Sequence, residues 1–403
     1  MLDLTDTTFD SCIKCTICTT HCPVAEATSD FPGPKQAGPD GRRLRLKNPG
    51  LYDEALKFCT NCKRCDVSCP SGVHISHIIQ GARKEAPGGF KRSPRDFMLS
   101  HTDLMGSLSS PLAPVVNTIT AAKPVKKLLD KTLGIDEHRI FPKYTQKTFR
   151  HWFAGQKEQQ EVYSRFISYF HGCYINYNDP TVGKDLVKVM NAMNIGVHLL
   201  DKERCCGVPL IANGFYDKAR QNAHFNLKQF SQGLESGADA VIATSSSCAM
   251  TLRDEYPDVL AVDNRAIKKQ IQFISHFLVN EISQGNLPKL KPVNLTVAYH
   301  SPCHLVKMGG VIYTLELLSH IPGLKLIQLD QNCCGLAGTY GFKKENYKHS
   351  QKIAGKMIQQ IQATNADYVV TDCESCKMQI EMSTQHKVLH PISLLAMALK
   401  NYS

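Results

Sequence analysis

The chain has 403 residues, 42% of them hydrophobic and 21% charged, with 17 cysteines and a formal net charge of +11. It is long enough for two or three domains and apolar enough for packed cores, which excludes a disordered tail. No apolar run reaches the roughly 18 residues needed to span a bilayer. No signal peptide opens the chain, so structural disulfides of an oxidising compartment are not expected.

Residues 1–85 carry one cysteine pattern twice: Cys12-x-x-Cys15-x-x-Cys18-x-x-x-Cys22-Pro23 and Cys59-x-x-Cys62-x-x-Cys65-x-x-x-Cys69-Pro70. Soft thiolates at these steps are the ligand set of a 4Fe-4S cluster, and in two-cluster proteins the fourth cysteine of each run reaches the other cluster. The expected sets are therefore crossed. Cys12, Cys15, Cys18 and Cys69 hold cluster 1, and Cys22, Cys59, Cys62 and Cys65 hold cluster 2. The rival is a pair of zinc sites, which usually join two C-x-x-C knuckles rather than two runs of three cysteines plus Cys-Pro. The net charge counts each thiol as neutral. Two cubanes at about −2 or −3 each would remove roughly half the basic excess, so a nucleic-acid partner is not expected.

The 36 residues between Cys22 and Cys59 exceed what a minimal ferredoxin core needs, which favours an α-helical ferredoxin domain. Within them, residues 31–41 read as a loop by composition, followed by Arg42, Arg43, Arg45 and Lys47 and a helical stretch over 52–58. The basic group is either a solvated surface or a docking patch that offsets cluster charge. Residues 86–165 form a connector, opened by Pro87-Gly88-Gly89 and punctuated by further prolines, which argue against one long helix. Leu112, Val115, Val116 and Ile119 fall near helical spacing, with Lys123, Lys126, Lys127 and Lys131 after them. Such a basic amphipathic segment either lies on a membrane surface or packs on a neighbouring domain.

From residue 166 the chain repeats itself, giving Cys-Cys-Gly repeats over 166–290 and 291–403. Repeat 1 reads strand 166–170, Cys173, a helix, strand 197–200, Cys205-Cys206-Gly207, a helix over 216–232, strand 238–243, then Ser245 and Cys248. Repeat 2 reads strand 295–299, Cys303, a helix over 311–320, strand 324–329, Cys333-Cys334-Gly335, a helix over 343–362, strand 366–370, then Cys373 and Cys376. Cys333, Asp367 and Cys376 each lie 128 positions after Cys205, Asp239 and Cys248. Alternating strands and helices predict a parallel α/β layer in each half, facing its twin across a pseudo-twofold axis. Three loops at the ends of parallel strands would bring five thiols together in repeat 2, a further iron–sulfur or redox-active site. In repeat 1 Ser245 stands where repeat 2 has Cys373, so Cys173, Cys205, Cys206 and Cys248 make an altered site. His171, His300 and His304 flank these cysteines as cluster-tuning or purely structural groups. No strand-GxGxxG-helix unit occurs, so neither flavin nor NAD is expected on this chain.

Twin Cys-Pro runs followed by two Cys-Cys-Gly modules resemble the iron–sulfur subunits of heterodisulfide reductases, glycolate oxidase and lactate-utilisation enzymes. Pro32-Gly-Pro-Lys-Gln-Ala-Gly-Pro-Asp-Gly41, Ser100-His-Thr-Asp-Leu-Met-Gly106, Gly338-Thr-Tyr-Gly-Phe-Lys-Lys-Glu-Asn346 and Cys376-x-x-Gln379-Ile-Glu-Met-Ser383 are similar to the C-subunit family of anaerobic glycerol-3-phosphate dehydrogenases. The resemblance implies a non-catalytic electron-transfer subunit of anaerobic respiration with two 4Fe-4S clusters on the eight N-terminal cysteines. It implies flavin-containing catalytic subunits and the menaquinone pool as partners. It also implies peripheral attachment at the cytoplasmic face of the inner membrane. Related modules carry non-cubane clusters on five cysteines, which makes Cys303, Cys333, Cys334, Cys373 and Cys376 the candidate set for one. Two alternatives remain. One is the iron–sulfur subunit of a lactate- or glycolate-type oxidase. The other is a disulfide or quinone reductase working through Cys303–Cys376.

Overall fold

The computed structural model describes residues 7–85 and 92–400; the Pro87-Gly88-Gly89 boundary lies outside the described residues. The first part is helical, built from the short helices Ile17–Thr20, Pro23–Ala27 and Arg64–Val67, a 3-10 turn at Glu54–Phe58 and the longer helix Ile75–Lys84. Cys22 caps the helix Pro23–Ala27, its sulfur accepting the Ala25 N–H at 3.5 Å. Proline follows because the first helical position needs no N–H.

The segment read as a loop is a correction. A π-helical turn, Gln36–Asp40, runs straight into the helix Gly41–Lys47 with Pro39 inside it. Packing overrides composition here: Ala37, Gly38 and Pro39 are buried, and a Cβ on Gly38 would come within 2.8 Å of Ile75 Cγ2. The basic group that follows is largely structural. Arg45 is buried, and Arg43 donates to the Phe9 carbonyl at 2.8 Å and to Asp40.

The connector is a run of separate helices. Ala113–Ala121 and Lys123–Leu133 meet at Ala122, whose ψ of 126° breaks the ladder ahead of Pro124. Lys123–Leu133 has no buried residue, and Leu108, Leu112, Val115, Ile119 and Leu128 are each at least half exposed. No helix among the described residues is long and apolar enough to cross a membrane. Beyond these helices Arg139 is 1% exposed. It donates to the Gly341 carbonyl (2.6 Å), Gln379 Oε1 (2.7 Å) and Ser350 Oγ (2.6 Å), plugging the connector into the second repeat.

Each repeat is a four-stranded parallel sheet with helices about it. β1 (Phe166–Phe170), β2 (Gly196–Leu199), β3 (Val241–Ala243) and β4 (Ile271–Phe273) lie in the order β2-β1-β3-β4. β5 (Thr296–Tyr299), β6 (Lys325–Gln328), β7 (Tyr368–Val370) and β8 (Val388–Leu389) repeat that order as β6-β5-β7-β8. β1 matches the sequence reading, and the other expected strands differ by one to three residues at an end. The short fourth strands, β4 and β8, escape a periodicity reading altogether. The main apolar core spans both sheets and the helices between them. The smaller cluster beneath the N-terminal cysteines includes Cys333 and Ile353 of the second repeat.

Candidate metal centres

Both Cys-Pro runs bend through left-handed residues at matching positions: Lys14 and Thr16 in the first (φ 60° and 64°), Asn61 and Lys63 in the second (φ 55° and 65°). Each such residue costs about 1 kcal/mol. In return, alternating right- and left-handed backbone turns successive N–H groups inward, a concavity suited to an anionic cluster. The structure brings Cys12, Cys15 and Cys69 close enough to Cys18 for their charges to disfavour its ionisation. It places Cys22, Cys59 and Cys62 in the same relation to Cys65. Burial pushes the Cys22 thiol up to about 12, and the charges of Cys62 and Cys59 add to this. Thiolates gathered in this way need a compensating cation. Among the described residues no three His, Cys, Asp or Glu side chains converge on one ion position. The thiolates of a cubane sit at separate corners, one on each iron.

In repeat 2 the three strand ends converge. Cys303 opens a helix after β5, Cys333 and Cys334 follow β6, and Cys373 caps the helix Glu374–Ser383 after β7, with Cys376 in its first turn. Gly335 (φ 76°) turns the backbone after the vicinal pair, where a Cβ would sit 2.1 Å from the Ser350 carbonyl oxygen. The five thiols form an unbroken chain of contacts, Cys303–Cys333–Cys334–Cys376–Cys373. Its first member also contacts Cys62 of the second Cys-Pro run. Hydrogen bonding from Cys376 holds the Cys373 thiol down at about 6 against the effect of burial. A cavity of about 140 Å³ is bounded by Cys59 and Cys62 on one side and all five repeat-2 thiols on the other.

The donors near these thiols, Tyr340 in the cavity wall and His300 behind it, fit an iron–sulfur group. His300 is fully buried with neither ring nitrogen hydrogen-bonded, and the buried Tyr340 hydroxyl is likewise unpartnered. Tyr340 feels the charges of Cys59, Cys333 and Cys22, and His300 that of Cys333. A buried donor without an acceptor costs about 1–3 kcal/mol, and inorganic sulfide or thiolate would supply one. His304 is partnered: Nδ1 lies 3.1 Å from Ser247 Oγ and Nε2 lies 3.3 Å from the Asn61 carbonyl oxygen.

Repeat 1 brings together Cys173, Cys205, Cys206 and Cys248 in a similar chain. Gly207 (φ 105°) makes the corresponding turn. Ser245 does not join them: its hydroxyl donates to Glu374 Oε2 of repeat 2 at 2.8 Å and accepts the Cys248 N–H at 3.3 Å. His171 contacts the Gly172 carbonyl and Glu203.

Several supporting residues gave no signal of their own in the sequence. Asp103 of the connector accepts the Cys205 N–H, and burial pushes its carboxyl up to about 8. Glu255 of repeat 1 is 3% exposed; it accepts from Asn61 Nδ2 at 2.6 Å and pairs with Lys63 at 3.2 Å, bracing the Cys62 loop. Gly106 leaves room for Tyr177, whose Cδ2 would lie 2.3 Å from a Cβ at that position. Asp103 and Gly106 fall within a string that carried the family resemblance; Glu255 and Arg139 fall in none.

Comparison with known proteins follows these boundaries. Residues 8–73 match a 4Fe-4S dicluster domain, and residues 167–253 and 297–381 each match a cysteine-rich domain. The C-subunit of anaerobic glycerol-3-phosphate dehydrogenase from Escherichia coli (strain K12) is 56% identical over 396 residues, covering 98% of this chain and 100% of that protein. The chain belongs to the C-subunit family of anaerobic glycerol-3-phosphate dehydrogenases. More distant relatives include the B-subunit of fumarate reductase (CoM/CoB) from Methanothermobacter marburgensis, 27% identical over 96% of this chain and 72% of that one. The D-subunit of dihydromethanophenazine:CoB–CoM heterodisulfide reductase from Methanosarcina mazei is 24% identical over 92% of this chain and 88% of that one. Membership of the C-subunit family makes this an iron–sulfur protein of electron transfer.

Proposed function

We propose that this chain is the iron–sulfur subunit of an anaerobic glycerol-3-phosphate dehydrogenase. It accepts electrons from flavin-containing catalytic subunits and delivers them to the menaquinone pool. The 56% identity along the whole of a C-subunit supports the choice of complex. The observation that carries the electron route is the contact of Cys62 with Cys303, which joins the N-terminal cysteines to repeat 2.

Cys12, Cys15, Cys18 and Cys69 hold one 4Fe-4S cluster and Cys22, Cys59, Cys62 and Cys65 the other; the grouping of thiols about Cys18 and Cys65 supports the crossing. Cys303, Cys333, Cys334, Cys373 and Cys376 hold a further, non-cubane centre, and the four thiols of repeat 1 form an altered site. Bound there, such groups take up and release single electrons. This chain's part is to hold them close, bury them and aim donors at their sulfur. The two repeats are related by an approximate twofold axis. The helix Pro180–Ala192, which follows β1, packs on Pro391–Ala398, which follows β8; reciprocally, Val311–Ser319 after β5 packs on Ile274–Ser283 after β4.

Attachment to the cytoplasmic face of the inner membrane is peripheral, through the exposed aliphatic side chains of residues 108–128 and the lysines beside them. This combination of apolar face and basic flank suits an anionic bilayer surface. The whole reading is tested by reconstituting glycerol 3-phosphate oxidation with a menaquinone analogue as acceptor. Electrons should reach the quinone only when this chain joins the flavin subunits. Equal transfer without it, or transfer only with a lactate- or glycolate-oxidising partner, would overturn the proposal.

A further inference from the structure

We infer that Ser247, a residue of repeat 1, is a positioning residue of the repeat 2 thiol site, its hydroxyl donating a hydrogen bond to the Cys373 sulfur. Ser247 Oγ lies 3.6 Å from Cys373 Sγ, within reach of a hydrogen bond to sulfur. A metal-bound thiolate has no proton to give, so the hydroxyl is the donor. The hydroxyl is held in place from behind. His304 Nδ1, 3.1 Å from the same oxygen, donates to it in the tautomer that carries its proton there, which leaves the hydroxyl hydrogen for Cys373. The loop that carries Ser247 is itself docked on repeat 2. The Ser246 N–H donates to the Asp372 carbonyl at 3.0 Å and the Ser245 hydroxyl to Glu374 at 2.8 Å.

Three consecutive serines of repeat 1 thus lie against residues 372–374. The position at which repeat 1 lacks a cysteine belongs to a loop that braces the other site. Hydrogen bonds to ligand sulfur favour the reduced, more negative state of an iron–sulfur group and so raise its potential. Ser247 is then one of the groups that set the potential of the repeat 2 centre. The inference rests on the reading that the five thiols of repeat 2 hold iron, and the experiment separates the two.

Full-length protein carrying Ser247→Ala or Ser247→Thr is purified anaerobically. Redox titration follows the EPR signal that Cys334→Ser removes. S247A should lower the midpoint potential of that signal, leave iron content and the cubane signals unchanged, and be reversed by S247T, which restores the hydroxyl. An unmoved potential in S247A overturns the inference. So does an equal shift in S247T, or a parallel shift of the cubane signals, because each marks a merely structural role. If Cys334→Ser removes no signal and iron stays at about eight per chain, the reading beneath it has failed and the inference falls with it.

Discussion

The Cys62 thiol contacts Cys303, so the second Cys-Pro run and the first loop of repeat 2 meet sulfur to sulfur. The two residues are held from both flanks. Asn61 and Lys63 are fixed by Glu255, and His304 reaches back to the Asn61 carbonyl. Removing the Cys303 sulfur should break the route without disturbing the first two centres. Cys303→Ser should keep both cubane EPR signals while quinone-analogue reduction falls by about tenfold or more. Unchanged turnover would place the exit elsewhere.

Crossing of the ligand sets is checked by single substitutions. Cys69→Ser should damage the same EPR signal as Cys12→Ser, and Cys22→Ser the same signal as Cys59→Ser. If Cys22→Ser instead tracks Cys12→Ser, each run holds its own cluster.

Arg139 donates three hydrogen bonds inside repeat 2. Burial lowers its affinity for a proton, to about 10, still well above neutrality, so it remains charged. Arg139→Met would leave the Gly341 carbonyl and Gln379 Oε1 without this donor, at a cost of about 3 kcal/mol. The urea midpoint of the anaerobic protein reads this directly. A change below about 0.5 kcal/mol would mean that neighbours or water replace the guanidinium.

His300 gives a pH dependence. Burial lowers its pKa to about 4, with Cys333 acting in the opposite sense. The unfolded chain titrates near 6.5. Its contribution to stability is therefore fully present above about pH 6.5. It is lost as pH falls toward 4, because the unfolded chain takes up a proton that the folded one refuses, at a slope of up to about 1.4 kcal/mol per pH unit. Unfolding of the wild type and His300→Asn at pH 7.5 and 5.5 should show the smaller loss in the variant. Equal losses would remove His300 from the account.

Membrane attachment through the connector predicts that Leu112→Glu with Val115→Glu abolishes sedimentation with anionic vesicles and leaves the EPR spectra intact. High salt should release the wild type by screening the lysines. Retention of the double variant on the vesicles would assign attachment to another face.

Much of this arrangement is legible in the sequence because cysteine type and spacing are chemical requirements. The twin runs, the Cys-Cys-Gly turns and the 128-residue offset all follow from residues read in line. Strands such as Phe166–Phe170 announce themselves through a continuous apolar run. β8, with two residues, is too short to do so. The π-turn through Pro39 depends on Ile75 and Ile79, which lie far along the chain. Ser245 can be aligned with Cys373 from sequence, but its partner Glu374 belongs to the other repeat, and no local pattern reports a contact across 129 positions. Glu255 and Arg139 were missed for the same reason: their roles reside in distant acceptors and donors.

The embedding of Arg139 also bears on how the protein is made. Its partners lie 202, 211 and 240 positions downstream, so the connector cannot settle until nearly the whole polypeptide has left the ribosome. Cys303 likewise emerges long after Cys62. For much of synthesis the N-terminal cysteines therefore lack Cys333 and Ile353, the repeat 2 side chains that complete their apolar cluster.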